Sequence, residues 1–290
     1  MPPVKPSTVL GRQLGDELRR FREAAGLSTA DAAAVLDCTK GKISRMENGH
    51  VPVRLPDLNA LVTAYGISDT RTRERLTALA RRANRRRRDG WWHEYSSVLS
   101  DAYRDQIEME AICSQIRTFQ VQVVPGLLQT AEYARAIAVT SRSWKTPEEI
   151  DQVVQVRMAR QRRLTGEDPM HFWAVLAEGV LHQQVGGPAV MAEQLAALVD
   201  LADRPNITLQ VLPFSRGAHA SMLGPYVLLG FPQPTALDLV LSETATRNTW
   251  VEREAEVVSY RALFDDARTN ALPPADSVAM IKRIAAKAKQ

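Results

Sequence analysis

The feature that most restricts the fold is a pair of short, apolar-patterned segments between Ser28 and Gly49, separated by only three residues. Ser28 suits a helix N-cap, with Asp31 three residues on as in a capping box, and Ala32, Ala33, Val35 and Leu36 give that segment a buried side. After a break at Asp37-Cys38, Thr39 caps a second segment that runs to about Asn48 and stops at Gly49. Two short helices joined so tightly must cross at a steep angle. The crossing needs a small residue, which is Ala33, and a branched apolar plug from the second helix, which is Ile43. The turn needs left-handed backbone, a place usually held by Gly. Asp37 occupies it here, and Asp tolerates that conformation better than most residues. The spacing predicts a helix-turn-helix within residues 11–66.

Three further helices complete this front unit. Leu14, Leu18 and Phe21 recur at i, i+4 and i+7 over Gly11–Ala25, and Gly26 ends that run. Pro56 opens a fourth helix with Leu58, Leu61 and Val62 inward and Gly66 behind it. Ser68 is placed to cap a fifth, which grows basic through Arg81-Arg82 and ends in Arg85-Arg86-Arg87-Arg88. The expected organisation is a disordered tail at 1–10, an all-α domain of five short helices at 11–88, a linker at 89–102 and a larger domain at 103–290.

Charge divides along the same line. Residues 1–90 hold 18 Lys and Arg against 10 Asp and Glu, whereas the remainder holds 19 against 23. A basic front and a mildly acidic rear imply that the front alone meets a polyanion.

The residues Gly26-Leu27-Ser28 and Lys42-Ile43-Ser44-Arg45-Met46-Glu47-Asn48-Gly49 resemble the XRE/lambda-repressor-like helix-turn-helix family. The resemblance implies binding to double-stranded operator DNA through the helix at about Thr39–Asn48. Its DNA-facing positions fall on Thr39, Lys40, Gly41, Lys42, Ser44 and Arg45. Ser28 and Thr29 stand where the family often has Ser-Gln, so the grip on DNA at that point is altered. The chemistry is coherent by itself. Lys42 and Arg45, three apart, share a helix face, and either can read guanine O6 and N7, a good bidentate pair giving ~1–3 kcal/mol of discrimination. Lys40, Thr39 and Ser44 suit phosphates, which position without specifying sequence. Gly41 reads either as close approach to a duplex or as simple tolerance near a helix start. The Arg85–Arg88 run reads either as a solvated helix end or as a contact to flanking DNA backbone. A single helix-turn-helix reads a short half-site, so a homodimer is expected.

In the rear, apolar spacing from Tyr103 to Phe119 predicts a helix, and Val121–Val124 a short extended run before Pro125-Gly126. Helices are expected from Thr130, over Pro147–Leu164 with Arg157, Arg160, Arg162 and Arg163 largely outward, and around Glu178–Gln184 and Pro188–Ala202. Phe172–Ala177, Ile207–Leu212, Tyr226–Phe231 and Leu237–Leu241 read as strands. Helices at Thr249–Ala267, with Val251, Ala255, Val258 and Ala262 on one face, and at Ala275–Lys287 close the chain. This is an α+β domain with a small mixed or antiparallel sheet. Val124-Pro125-Gly126-Leu127-Leu128-Gln129-Thr130 with Tyr133-Ala134-Arg135 resembles the signature of a large C-terminal domain of uncharacterised function. So do Arg160-Gln161, Gln194-Leu195, Val211–Phe214 and Gly217-Ala218-His219. In actinomycetes that domain follows an XRE helix-turn-helix in a group including WhiJ-like, antitoxin-like regulators. The resemblance implies a small partner protein encoded nearby; no cofactor is expected. Pro125, Gly126, Leu127, Leu128, Gln129 and Tyr133 are the candidate partner or ligand loop, against the plainer reading of a tight turn whose leucines fill the core.

Enzymatic signatures are missing from the sequence: no GxSxG, P-loop, GxGxxG after a strand or HExxH occurs. His50, His93, His171, His182 and His219 have no metal-ligand spacing. Glu178 with His182, and His219 with Ser221, are the nearest approach to a catalytic pair, and a surface ion pair is the simpler reading of the first. The expectation is therefore a non-enzyme. Cys38 and Cys113 lie far apart, as reduced thiols would. The polar, proline-rich start lacks an apolar leader and no run approaches the ~18 apolar residues of a membrane span, so a cytoplasmic location is expected.

Overall fold

The computed structural model describes residues 7–85, 90–141, 143–232, 238–244 and 248–288. Its chain divides into two units, the first holding residues 7–93 and the second Glu94–Phe231 with residues 238–288.

The first unit has five helices: α1 (Val9–Ala24), α2 (Thr29–Val35), α3 (Lys40–Glu47), α4 (Leu55–Ala64) and α5 (Thr70–Arg85). Leu10, Leu14, Leu18, Ile43, Met46, Leu58, Leu61 and Leu76 form its buried interior, and Ala33 is buried with them. The expected apolar side of α2 is narrower than the pattern implied, because Val35 is exposed and Leu36 only half-buried. Asp69, rather than Ser68, caps α5, its Oδ2 accepting from the Thr72 N–H at 2.8 Å. α1 and α3 approach along backbone: a Cβ at Gly15 would lie 2.3 Å from the Glu47 carbonyl oxygen. No side chain fits there.

A 3₁₀ turn at Trp91–Tyr95 follows, with the two tryptophan rings edge-on at 5.8 Å. The stretch expected as a linker is largely built in, since Val98 and Leu99 are buried in the second unit and the Trp144 indole N–H donates to the Val98 carbonyl at 3.0 Å.

The second unit runs α6 (Asp101–Ile112), β1 (Gln115–Gln120), α7 (Ala131–Thr140), α8 (Pro147–Arg160), α9 (Arg162–Thr165), β2 (His171–Ala177) and α10 (Gly179–His182). It continues through α11 (Pro188–Ala202), β3 (Ile207–Leu212), β4 (Tyr226–Gly230), β5 (Leu239–Glu243), β6 (Asn248–Val251), α12 (Glu254–Asn270) and α13 (Pro274–Ala288). The strands make one mixed sheet in the order β3-β2-β1-β4-β5-β6. β1, β2 and β3 are mutually parallel, whereas β4, β5 and β6 pair antiparallel with their predecessors in that order. Strand order therefore reverses at β1. Phe119, Val175, Tyr226, Leu228, Val240, Val257 and Phe264 pack together as one core cluster.

Four expectations are corrected. The Tyr103–Phe119 periodicity spans two elements: α6 ends at Ile112, Cys113 is extended, and Gln115–Gln120 is the central strand. Burial falls on Ile116, Thr118, Phe119 and Gln120, so the strand is covered on both faces, does not alternate and mimics helical spacing. Val121–Val124 is a bend and not a strand. Thr249-Trp250-Val251 belongs to edge strand β6, paired to β5, and the helix starts at Glu254. Its buried residues are Val257, Phe264 and Ala267, while Ala255, Val258 and Ala262 face solvent. The Pro147–Leu164 helix breaks at Gln161, and Arg160, expected outward, is buried.

Candidate nucleic-acid interface and a charged cleft

The α2–α3 turn is built as the sequence demands. Asp37 has φ 45°, and among the described residues it is the one non-glycine with positive φ. The Ser28 hydroxyl accepts from the Ala30 and Asp31 N–H groups at 3.2 Å each and donates to Asp31 Oδ2 at 2.7 Å. Those bonds hold the Asp31 carboxyl below its ordinary value, the Ser28 hydroxyl contributing most and the Ser28 N–H next. The Ser28 hydroxyl proton is thus committed within the cap, while its neighbour Thr29 is half-buried.

α3 is held in place from behind. Glu47 accepts from Arg22 Nε at 2.7 Å and Nη2 at 3.0 Å, and Arg22 Nη1 donates to the Leu27 carbonyl at 2.8 Å. Arg19 adds a contact to Glu47 at 3.4 Å. The pair reaches Tyr65 as well, whose hydroxyl is pushed up to about 12 by burial and then by the Glu47 charge. Arg and Glu within otherwise apolar-framed helices were the only sequence signal of this clamp, and spacing alone did not pair them.

With its back fixed, α3 turns Thr39, Lys40, Gly41, Ser44 and Arg45 to solvent, with Lys42 half-buried. The Thr39 hydroxyl caps the helix, accepting from the Lys42 N–H at 3.3 Å. Lys42 Nζ lies 3.5 Å from Asp57 Oδ2, a loose pair that leaves the ammonium free to turn outward. Asn48 Nδ2 donates to the Ser44 carbonyl at 2.7 Å. A Cβ at Gly41 would meet only Arg45 Nη1 at 3.7 Å and Thr39 Oγ1 at 3.9 Å, so nothing inside the unit demands glycine there. Arg81 is exposed on α5. The Arg85 side chain and Arg86, Arg87 and Arg88 lie outside the described residues.

In the second unit a cleft of about 800 Å³ opens between the start of α6, the end of β1, the Val123–Gln129 segment, α8 and the end of β5. The Pro125–Gln129 loop is a 3₁₀ turn pinned through its main chain. Gln194 Nε2 donates to the Leu128 carbonyl at 2.8 Å and Gln161 Nε2 to the Gln129 carbonyl at 2.6 Å. Gln129 Nε2 donates to the Val124 carbonyl at 2.7 Å, and the Val124 N–H donates to the Tyr133 hydroxyl at 3.2 Å. Leu127, Leu128 and Tyr133 are buried in the core and present nothing to a partner, which corrects their place in the candidate loop. Pro125, Gly126 and Gln129 do line the cleft.

Two arginines of α8 differ in their partners. Arg160 donates to Glu110 from Nε at 2.8 Å and from Nη2 at 2.6 Å, and from Nη1 to the Tyr103 hydroxyl at 2.7 Å. Arg157, one turn away, donates to the neutral Gln129 Oε1 at 2.9 Å. Glu243, at the end of β5, forms no ion pair among the described residues. Its side chain is exposed by surface area, although many protein atoms crowd around it; that crowding raises its pKa, with Arg160 opposing, Glu110 adding to the rise and Arg157 opposing.

The nearest approaches to a catalytic pair are engaged in structural contacts. Glu178 lies 3.5 Å from His182 but accepts from the Phe214 N–H at 2.7 Å, so it orders a turn. Ser221 is buried, shares a 2.9 Å bond with the Tyr226 hydroxyl and donates to the Leu263 carbonyl at 3.2 Å, while the His219 ring packs edge-on against Phe119. Among the described residues no three His, Cys, Asp or Glu gather as metal ligands, and no helix is long and apolar enough to cross a membrane.

Two helices crossing at a buried alanine, the second clamped from behind and offering cations to solvent, define a helix-turn-helix unit. Residues 13–76 match the model of a helix-turn-helix domain. Residues 103–283 match a domain of unknown function (DUF5753), and the chain belongs to that family. No curated protein and no solved structure matches the chain. An XRE-like helix-turn-helix followed by an uncharacterised α+β domain makes this a DNA-binding regulator.

Proposed function

We propose that the chain is a sequence-specific transcriptional regulator that binds operator DNA as a homodimer, and that its second unit sets when it binds. The observation that carries this is the outer face of α3, where Lys42 and Arg45 stand one turn apart on a helix whose inner face is locked by Glu47. Helix N-termini in such domains enter the major groove, where Lys and Arg read guanine edges. Thr39, Lys40 and Ser44 serve phosphates, and Arg85–Arg88 add backbone contacts to flanking DNA. Footprinting on DNA upstream of its own gene tests the reading. Lys42→Ala and Arg45→Ala each abolish sequence preference while thermal unfolding is unchanged; retained preference in both overturns it.

The 800 Å³ cleft supports a ligand-responsive second unit. A second reading, in which a small protein encoded nearby binds there and the chain acts in an antitoxin-like way, draws on a different observation. Phe214, Met222 and Leu223 are 67%, 65% and 99% exposed in the loop between β3 and β4. Purification from the native host separates the two: a stoichiometric small protein favours the second, a bound small molecule the first.

A further inference from the structure

Among the described residues, the cleft holds two charges of opposite sign, Arg157 and Glu243, that have no ion-pair partner. Arg157 is met by the neutral Gln129 Oε1, and Glu243 by no cation within ion-pair distance among the described residues. The other charges nearby do not serve, because Arg160 and Glu110 satisfy each other bidentately. Arg157 is half-buried and Glu243 exposed in the cleft lining, so each can meet an incoming group of opposite sign. A purely anionic ligand would satisfy Arg157 and oppose Glu243; a purely cationic one would do the reverse.

Four more observations bear on what enters. The cleft lies beyond the carboxyl end of β1, where strand order reverses, the position at which open α/β sheets bind ligands. Its volume falls within the ~300–1,000 Å³ of small-molecule sites. Val98, Leu99, Val124, Ile137 and Trp144 are the apolar part of its lining, beside polar residues such as Ser100, Gln106 and Gln120. The Pro125–Gln129 side is preformed by the glutamine bonds to its main chain, so little ordering is required on binding.

We propose that this cleft binds an amino-acid-derived zwitterion, a free apolar amino acid or a short apolar peptide, with its ammonium on Glu243, its carboxylate on Arg157 and its side chains against Trp144 and Ile137. The assignment rests on the reading of the second unit as ligand-responsive and names the ligand's chemistry.

Isothermal titration of the full chain tests it, with L-phenylalanine and L-leucyl-L-leucine as probes beside their N-acetyl and carboxamide forms. At least one free probe binds, and blocking either terminus weakens it tenfold or more. Arg157→Gln removes the discrimination against the carboxamide alone, Glu243→Gln removes that against the N-acetyl form alone, and Arg157→Lys, which keeps the charge, retains the first. Equal binding of free and blocked probes overturns the proposal, as does no binding of either free probe to a folded wild-type chain. The same titrations followed by operator anisotropy separate the two levels. Charge-dependent binding without change in DNA affinity sinks the ligand-responsive reading and leaves the site standing. Charge-independent binding that shifts DNA affinity does the opposite.

Discussion

Arg22 on α1 and Glu47 on α3 meet at two points, 2.7 and 3.0 Å, with side chains 8% and 5% exposed. Glu47 is the last residue of the helix whose opposite face carries Lys42 and Arg45, so this contact sets how that face is presented. Removing one member of a buried pair strands the other, at a cost of roughly 3–5 kcal/mol. Glu47→Ala is expected to lower the stability of the first unit by about that amount in urea titration, and operator binding falls with it. Loss below about 1 kcal/mol would mean the clamp contributes little.

Asp37 holds left-handed backbone at φ 45°. A residue with a Cβ is strained there by roughly 1–2 kcal/mol, which Gly avoids. Asp37→Gly should therefore raise the thermal midpoint of the first unit and leave the operator preference unaltered, since the residue faces the turn and not α3. A lower midpoint would show that the Asp side chain stabilises the turn by more than the strain.

Gly41 separates two explanations left open by the pattern. In an exposed helix Ala exceeds Gly by about 1 kcal/mol, and the space around a Cβ is open. Gly41→Ala is expected to stabilise α3 while weakening operator binding, because the added methyl would stand between helix and duplex. Tighter or unchanged DNA binding would assign Gly41 to simple tolerance.

How much of this was legible follows from the range of the interactions. The front unit rests on local signals: the Ser28 cap, the Asp37 turn, the Ala33 and Ile43 packing positions and the terminating glycines all act within a few residues. The strands at 171–177 and 207–212 were legible because they are compact apolar runs bounded by turns. β1 was not, because its identity comes from pairing with β2 and β4, at sequence separations no periodicity encodes. β6 was lost for the same reason. The cleft was invisible in the sequence, since Arg157, Glu243 and Trp144 converge only after the sheet forms. Gln129 and Gln194 stood out in the sequence only through the family resemblance, and their bonds to loop carbonyls exist only once the fold forms.

The helix caps predict an acid dependence. Asp31, Asp69 and Glu149 are each lowered, Asp31 chiefly by the Ser28 hydroxyl, Asp69 by the Thr72 hydroxyl and Glu149 by the Lys145 and Thr146 N–H groups. A folded pKa below the unfolded one means that the unfolded chain binds more protons, so stability rises with pH through that window. The contribution is present above the ordinary values of 3.8 and 4.5 and is lost as pH falls through the lowered ones. Replacing all three with Asn, Asn and Gln should lower the thermal midpoint at neutral pH and flatten its slope below pH 4.5. An unchanged slope would place the acid response elsewhere.

Arg160 and Arg157 lie on one helix and are expected to respond oppositely to loss of charge. Arg160 is enclosed with Glu110 and Tyr103; burial alone would lower its pKa, and Glu110 and then Tyr103 more than offset that, raising it. Removing either partner leaves an uncompensated buried charge, so Arg160→Ala or Glu110→Ala should each destabilise the second unit by roughly 3–5 kcal/mol. Replacing both at once with apolar residues, Arg160→Met with Glu110→Leu, should recover most of that loss, because no stranded charge remains. Arg157 is half-buried and makes a single bond to Gln129, worth well below the loss of a buried ion-pair partner. Arg157→Gln should therefore unfold close to the wild type in a two-unit melt that resolves the second transition. If Arg157→Gln proves as destabilising as Arg160→Ala, then Arg157 is structural and not held open for a ligand.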